Sequence, residues 1–404
     1  MSVEAKAAVA AIPEALAECY NRAVESMMDH VENGTTDMAE DVMRVPYEQY
    51  TDPDVWQREI DLIYKRLPIM VGLSIEIPEP GDFKTIEMLG MPLLVTRASD
   101  GEARVMLNVC SHRGMKLTTE GCGHARLFTC PYHRWSYGLD GALKGVAEYK
   151  KFGDVDKATL GLTQLSCHEQ GGMIFAVLTP GLEVDFQAFL GGMIADVEQK
   201  HFENWHFCGR REIFGGNWKV AYDGYLEGYH FAAAHPETIH PRTYSNIMHF
   251  EAHGPHILIG FPQRSIDQLR DVPRDELWKY ENNGYDFIRT FFPNISIFVA
   301  PEITQVAQLI PGPTPAENRT ILYFLKPEPP ANDEEKQATE TMVDWLQSVV
   351  DREDYQVGLQ VQRGLESGAH DSVIFGRNER GNQYFHRWLD YYLAGEADAP
   401  PPEL

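Results

Sequence analysis

Two pairs of metal-ligating side chains stand close together in the first half of the 404-residue chain. Cys110 and His112 lie in NVCSHRGMKL; Cys130 and His133 lie in FTCPYHRWSY, seventeen residues further on. Each loop offers one thiolate and one imidazole. Such a set suits either a closed tetrahedral zinc or a [2Fe–2S] cluster whose cysteines bind one iron and whose histidines bind the other. Three features favour the cluster. Each half carries one ligand of each kind, whereas zinc sites tend to pair like with like. Pro131, Gly114 and Gly138 suit tight loops whose backbone N–H groups approach sulfides. Tyr132, Trp135 and Tyr137 form an aromatic surround that excludes water and tunes a potential. Cys122 and His124 repeat the first half-motif, but only five residues separate His124 from Cys130. That leaves little room for strands and loops, so they read as exposed turn residues. Cys19, Cys167 and Cys208 have no local partner pattern and read as ordinary thiols.

The pattern C-x-H-R-G…C-P-Y-H-x-W resembles the cluster motif of the Rieske non-haem iron oxygenases, specifically of the catalytic alpha subunits of the aromatic-ring-hydroxylating family. The likeness extends over roughly residues 46 to 390. One departure is Arg134, at a position the family usually fills with glycine. The resemblance implies a second, mononuclear iron held by two histidines and a carboxylate.

The stretch NWKVAYDGYLEGYHFAAAHP can supply the histidines. It contains Glu227-x2-His230-x4-His235. On an ideal helix His230 and His235 would sit about 140° apart, too wide for one metal, so the helix must distort or end between them. Pro236 supports an ending, because the residue before proline avoids the α region. His240 is also followed by proline and reads as a loop residue. His249, His253 and His256 are given no role beyond that of pocket-lining candidates.

A third ligand must come from elsewhere. The long helix expected over about 334–365 offers Asp351, Glu353 and Asp354. Val343, Leu346, Val350, Val357 and Val361 make an apolar stripe there; Asp354 falls on the stripe, and Asp351 and Glu353 fall off it. A buried, unpaired carboxylate is costly, so Asp354 is the expected ligand, as the family pattern also implies. The resemblance gives Glu227 the role of a bridging acid between His230 and a cluster histidine of a neighbouring subunit. It marks Asp223 as standing where an asparagine is common, with a catalytic role beside Glu227.

These ligands need a scaffold. The first ~45 residues carry helix formers on a helical period and read as an N-terminal helical arm (1–45). From 46 to 180, short β-branched and aromatic runs alternate with Gly and Pro, the texture of a small antiparallel β domain. From 181 to 404, strands precede a long helix, an α+β pattern. The expected fold class is therefore α+β. The resemblance adds a Rieske [2Fe–2S] domain and a helix-grip catalytic domain, an antiparallel sheet around a long C-terminal helix. The tail EADAPPPEL is expected to lack regular structure.

Composition narrows the function. With 60 acidic and 35 basic side chains the net charge is -25, which disfavours nucleic-acid binding. No apolar run approaches the ~18 residues of a membrane span. The run from Ala7 to Ile12 is ended by Pro13 too early for a signal peptide. The sequons at Asn33, Asn294 and Asn318 read as chance matches, and six cysteines without a disulfide framework suit the cytoplasm. The resemblance implies the terminal component of a multicomponent oxygenase with a Rieske cluster and Fe(II). It would take electrons from a reductase, a ferredoxin or both, and act with O2 on an aromatic or other small organic substrate. Cis-dihydroxylation is the main expectation; monooxygenation, as hydroxylation or O/N-demethylation, is the alternative. A head-to-tail homotrimer is implied, with or without a beta subunit. Two rivals are a non-catalytic Rieske electron carrier, which has no need of the second histidine set, and a zinc-stabilised binding protein.

Overall fold

Residues 12–395 and 400–404 are described by the computed structural model. Between residues 82 and 107 each short apolar run becomes a strand: Asp82–Met88, Met91–Arg97 and Ala103–Leu107 form an antiparallel meander. Met88 pairs with Met91, so Leu89 and Gly90 alone make the first turn, with φ of 53° and 75°. Two positive φ values give the turn whose twist matches that of a hairpin. Gln164–Leu165 and Cys122–His124 close this sheet at its two edges. A smaller sheet of Phe128–Thr129, Ser136–Tyr137 and Leu143–Gly145 holds the second Cys/His loop between its first two strands. A third sheet joins Cys167–Gln170, Met173–Ala176 and Ile69–Leu73.

The larger unit is a seven-stranded antiparallel sheet. Its spatial order is His206–Gly215, Asn318–Lys326, Thr304–Pro311, Ile295–Phe298, Tyr285–Phe291, His256–Pro262 and His249–His253. Every residue of Thr304–Pro311 and His256–Pro262 is buried. Side chains alternate between faces, so both faces of these strands are covered. Helices Glu14–Asn33 and Phe186–Glu198 pack on the strands of one end, and Trp218–Gly224 and the long helix pack on those of the other.

Three features differ from the simplest sequence reading. The N-terminal helix is not a free arm: Tyr20, Ala23, Val24 and Met27 enter the main core, and Tyr20 bonds Asp196. The segment Met43–Tyr64 lies with the C-terminal elements, since Met43–Pro46 pairs with Ser372–Phe375 and Ile60–Tyr64 packs on the helix Arg380–Ala394. The long helix is not regular, because Asp333–Val349 and Gln356–Glu366 are joined by a π turn at Val350–Tyr355. The π turn changes the phase of the apolar stripe, so Val343 and Val350 are buried while Val357 and Val361 are exposed. The run from Ala7 lies, up to residue 11, outside the described residues, as does 396–399 of the tail; residues 400–404 form no helix or strand.

A buried polar seam joins the two β units. The Asn294 side chain accepts from Met70 N and donates to Met70 O, each at 3.2 Å, completing the edge of the third sheet as a neighbouring backbone would. Asn294 and Asn318 are both buried. Lys84 forms an ion pair with Glu76 with no exposure of its own side chain. No described helix is long and apolar enough to cross a membrane.

A second buried pair fixes the helix that leads to the candidate site. Glu59 meets Lys219 Nζ and accepts from Trp218 Nε1 at 2.8 Å, and neither member of the pair is more than 1% exposed. Burial alone would discharge the lysine, and desolvation does lower its pKa despite Glu59. Removing one member leaves the other charged and uncompensated. Lys219→Met is expected to destabilise the protein by about 3–5 kcal/mol, and adding Glu59→Gln to recover most of the loss. Denaturant unfolding of both variants checks this, and an unchanged midpoint for the single variant would refute it.

Candidate metal centres

The two Cys/His loops close in the same way. Cys110 N donates to Met115 O at 2.8 Å and Gly114 N to Cys110 O at 2.9 Å; Cys130 N donates to Trp135 O at 2.7 Å and Arg134 N to Cys130 O at 3.0 Å. Each turn therefore needs a left-handed residue four positions after its cysteine. Gly114 meets this with φ 74° and Arg134 with φ 57°. The geometry favours glycine at both places, which explains why Arg134 is the departure noticed in the sequence. Its side chain is exposed.

Both thiols point inward and neither forms a disulfide; Cys110 is 2% and Cys130 1% exposed. Tyr137 Oη lies 3.2 Å from Cys110 Sγ. The imidazoles stand half-buried toward the surface. The His112 ring is 4.6 Å from that of His133 and stacks on Trp135 at 4.9 Å. His112 Nδ1 is buried with no hydrogen-bond partner among the described residues. An orphaned buried acceptor beside two free thiols calls for a metal. Among the described residues, no three donor atoms of these loops meet within 4.8 Å, although three atoms elsewhere do. One tetrahedral ion would draw all four together, whereas a two-iron cluster separates the thiol pair from the imidazole pair. The donor set fits a Rieske cluster. Cys122–His124 forms an exposed edge strand rather than a turn, with His124 Nδ1 2.9 Å from Asp82.

The second centre rests on a broken helix. Trp218–Gly224 ends at Tyr225, and a single turn, Phe231–Ala234, follows. Gly228 lies in the break, where a Cβ would meet Phe231 and Phe261 at 2.9 Å. The break is nearer the N-terminus than the sequence suggested, and His230 and His235 flank the one-turn helix. His235 has φ -119° and ψ 46°, outside the helical region as its proline neighbour requires. The rings come within 5.1 Å. Asp354 Oδ1 is 2.9 Å from His235 Nε2 and 3.5 Å from His230 Nε2. One donor atom from each of His230, His235 and Asp354 lies within 4.8 Å of the others.

The electrostatics ask for a cation. Burial opposes charge on His230, yet hydrogen bonds to Asp354 and Glu227 raise its pKa to about 10. Burial likewise opposes charge on His235, and Asp354 overcomes it. Burial raises Asp354, and the two histidines more than reverse this, holding it below its usual range. Carboxylate charge thus gathers positive charge on the rings, and a metal ion supplies that charge directly. Two imidazoles and one carboxylate form the facial set typical of non-haem iron.

Glu227 sits on the far side of His230. It bonds His230 Nδ1 and also accepts from His230 N at 3.1 Å. Asp223 lines the same cavity but bonds elsewhere, accepting from Tyr50 Oη at 2.8 Å with His386 Nε2 at 3.1 Å. Tyr50 and His386 carried no sequence signal, because each is brought in from a distant segment. Glu353, which the stripe placed off the buried face, turns inward to His235 Nδ1 at 2.6 Å. The π turn at Val350–Tyr355 brings it there. His240 faces Arg264. His256 is a core residue between Phe189 O and Phe292 N, and burial lowers it to about 4. Beside the triad lies a cavity of about 720 Å³ with Ile239, Phe261, Ile288, Phe298, Ile303 and Val349 on its wall.

Comparisons with known proteins match the chain in two stretches. Residues 68–159 match the Rieske [2Fe-2S] domain, and residues 196–395 match the ring hydroxylating alpha subunit (catalytic domain). The chain is 29% identical over 271 residues to the anthranilate 1,2-dioxygenase large subunit of Acinetobacter baylyi, covering 63% of this chain and 55% of that protein. It is 36% identical over 212 residues to the large oxygenase component of salicylate 5-hydroxylase from a Ralstonia species, covering 48% and 49%. The chain thus spans about half the length of these two relatives. The fold resembles the crystal structure of the quaternary ammonium Rieske monooxygenase CntA, with a TM-score of 0.76 at 22% identity, covering 95% of this chain and 99% of that one.

Asp354→Ala is expected to remove the mononuclear metal and leave the cluster spectrum unchanged. Iron analysis with a visible spectrum checks this. Full metal retention would exclude Asp354 as a ligand.

Proposed function

The chain belongs to the ring-hydroxylating alpha subunits, which join a Rieske domain to a catalytic domain, and from that premise we propose that it is the terminal oxygenase of a multicomponent system. The observation that carries the proposal is the convergence of His230, His235 and Asp354 within 4.8 Å beside a largely apolar cavity, in the same chain as the paired Cys/His loops. When bound, a cluster on Cys110, Cys130, His112 and His133 supplies one-electron transfer, and Fe(II) on the triad supplies the activation of O2.

The chain's own residues do the rest. Asp354 and the two imidazoles set the charge of the centre. Glu227 keeps a proton on His230 Nδ1 and so turns Nε2 toward the metal. The aliphatic and aromatic wall holds a small organic substrate and keeps bulk water from the reacting carbon. Electrons come from a separate reductase, with or without a ferredoxin. In the proposed head-to-tail trimer Glu227 lies between His230 and the partner subunit's His133, linking the two centres. Inter-subunit electron transfer is described for the quaternary ammonium monooxygenase, which supports this arrangement. Cis-dihydroxylation of an aromatic ring is the main reading. Monooxygenation is the second, favoured by the 36% identity to salicylate 5-hydroxylase. Incorporation of one or of two ¹⁸O atoms from labelled O2 into the product distinguishes them.

Protein purified without oxygen is expected to carry about three irons and two acid-labile sulfides per chain, with a Rieske-type EPR signal on reduction. Zinc without sulfide would overturn the proposal. Glu227→Gln is expected to keep both centres but slow reoxidation of the reduced cluster by O2 in the presence of substrate. Reoxidation at the wild-type rate would remove Glu227 from the electron route.

A further inference from the structure

His235 is held at both ring nitrogens by consecutive residues of one helix. Nε2 is 2.9 Å from Asp354 Oδ1, and Nδ1 is 2.6 Å from Glu353 Oε2. A regular α-helix turns successive side chains 100° apart, too far to grip one imidazole on its two sides. The π turn over Val350–Tyr355 widens the backbone at this point, and π turns recur at functional sites. Glu353 does not join the three donor atoms that converge on the candidate metal position. Its other partner is Thr238 Oγ1, at 2.5 Å, in the loop that His235 and Pro236 begin. His235 itself is fully buried.

We propose that Glu353 is a positioning residue for the mononuclear centre: it accepts the Nδ1 proton of His235, fixes the tautomer that presents Nε2 to the metal, and thereby sets metal affinity. The inference rests on the reading of His230, His235 and Asp354 as one metal centre. It gives each histidine ligand its own carboxylate, Glu227 on His230 and Glu353 on His235, with separate duties. Glu227 is half-buried and faces the proposed subunit boundary, whereas Glu353 is tied to the loop at the cavity wall. Carboxylates placed behind metal-bound imidazoles raise their basicity, and their loss costs ten- to a hundredfold in affinity.

The test is titration of Co(II) into full-length protein with its cluster intact and its mononuclear metal removed, read by the Co(II) d–d absorption. The cluster spectrum reports correct folding. Glu353→Ala is expected to weaken Co(II) binding at least about tenfold. Glu353→Gln, which keeps an acceptor within reach of Nδ1 but loses the charge, is expected to weaken binding less than Glu353→Ala does. Glu353→Asp keeps the charge but loses the reach, so it is expected to weaken binding like Glu353→Ala, and it replaces that variant if Glu353→Ala does not fold. Thr238→Val, which removes only the loop tether, is expected to bind as wild type does. Wild-type affinity in both Glu353→Ala and Glu353→Asp would overturn the proposal, as would equal weakening by Thr238→Val. Asp354→Ala separates the two levels of inference. If it loses Co(II) while Glu353→Ala does not, only the role of Glu353 fails. If it too binds Co(II) normally, the centre is misassigned and both readings fall.

Discussion

The carboxylate of Asp354 faces two imidazoles that come from a segment more than a hundred residues earlier. Burying that carboxylate alone would be unfavourable, and burying the imidazoles in charged form would be equally so. Together they stabilise one another, and a cation would complete the set. Meeting this constraint decides where much of the catalytic unit lies. The π turn carrying Asp354 packs against the edge strand His206–Gly215 and the helix Trp218–Gly224. Glu59 and Lys219 lock the preceding helix Trp218–Gly224 in place from the other side.

Regular secondary structure cannot deliver these ligands, and the chain departs from it where the chemistry sits. Gly228 lets the backbone break where Phe231 and Phe261 close in. The π turn at Val350–Tyr355 rotates both Glu353 and Asp354 inward. Arg134 adopts a left-handed backbone because the loop closes only that way. Each departure carries a local cost. For the first two, the seven-stranded sheet, with central strands covered on both faces, supplies the rigidity that holds them; the Arg134 loop is held by its own small sheet.

The small β unit obeys a different logic. Its thiols belong to a compact apolar cluster with Trp135 and Tyr137, and its imidazoles stand toward the surface. A cluster held by these four residues would therefore lie nearest the surface on its histidine side. The polar seam of Asn294 and Met70, with Lys84 and Glu76 nearby, fixes this unit against the large sheet through directional bonds. Apolar packing alone would specify that orientation less well.

The sequence by itself determined the candidate ligand types, the spacing of the two Cys/His loops and the succession of a small β unit and an α+β unit. Those are local matters: C-x-H and C-x2-H spacing, strand runs of period two, a proline that stops a helix after His235. It also selected Asp354, because a carboxylate on an apolar stripe needs a partner. Only the tertiary structure decided that Glu353 turns to His235, that Asp223 turns away to Tyr50 and His386, and that residues 43–64 lie with the C-terminal helices. The stripe argument assumed an unbroken 3.6-residue period, and a single π turn shifts every position after it. Partners such as Tyr50 and His386, 336 residues apart, leave no periodic trace in the chain. Contacts of that kind follow from how whole elements pack, and the pattern within any one element does not contain them.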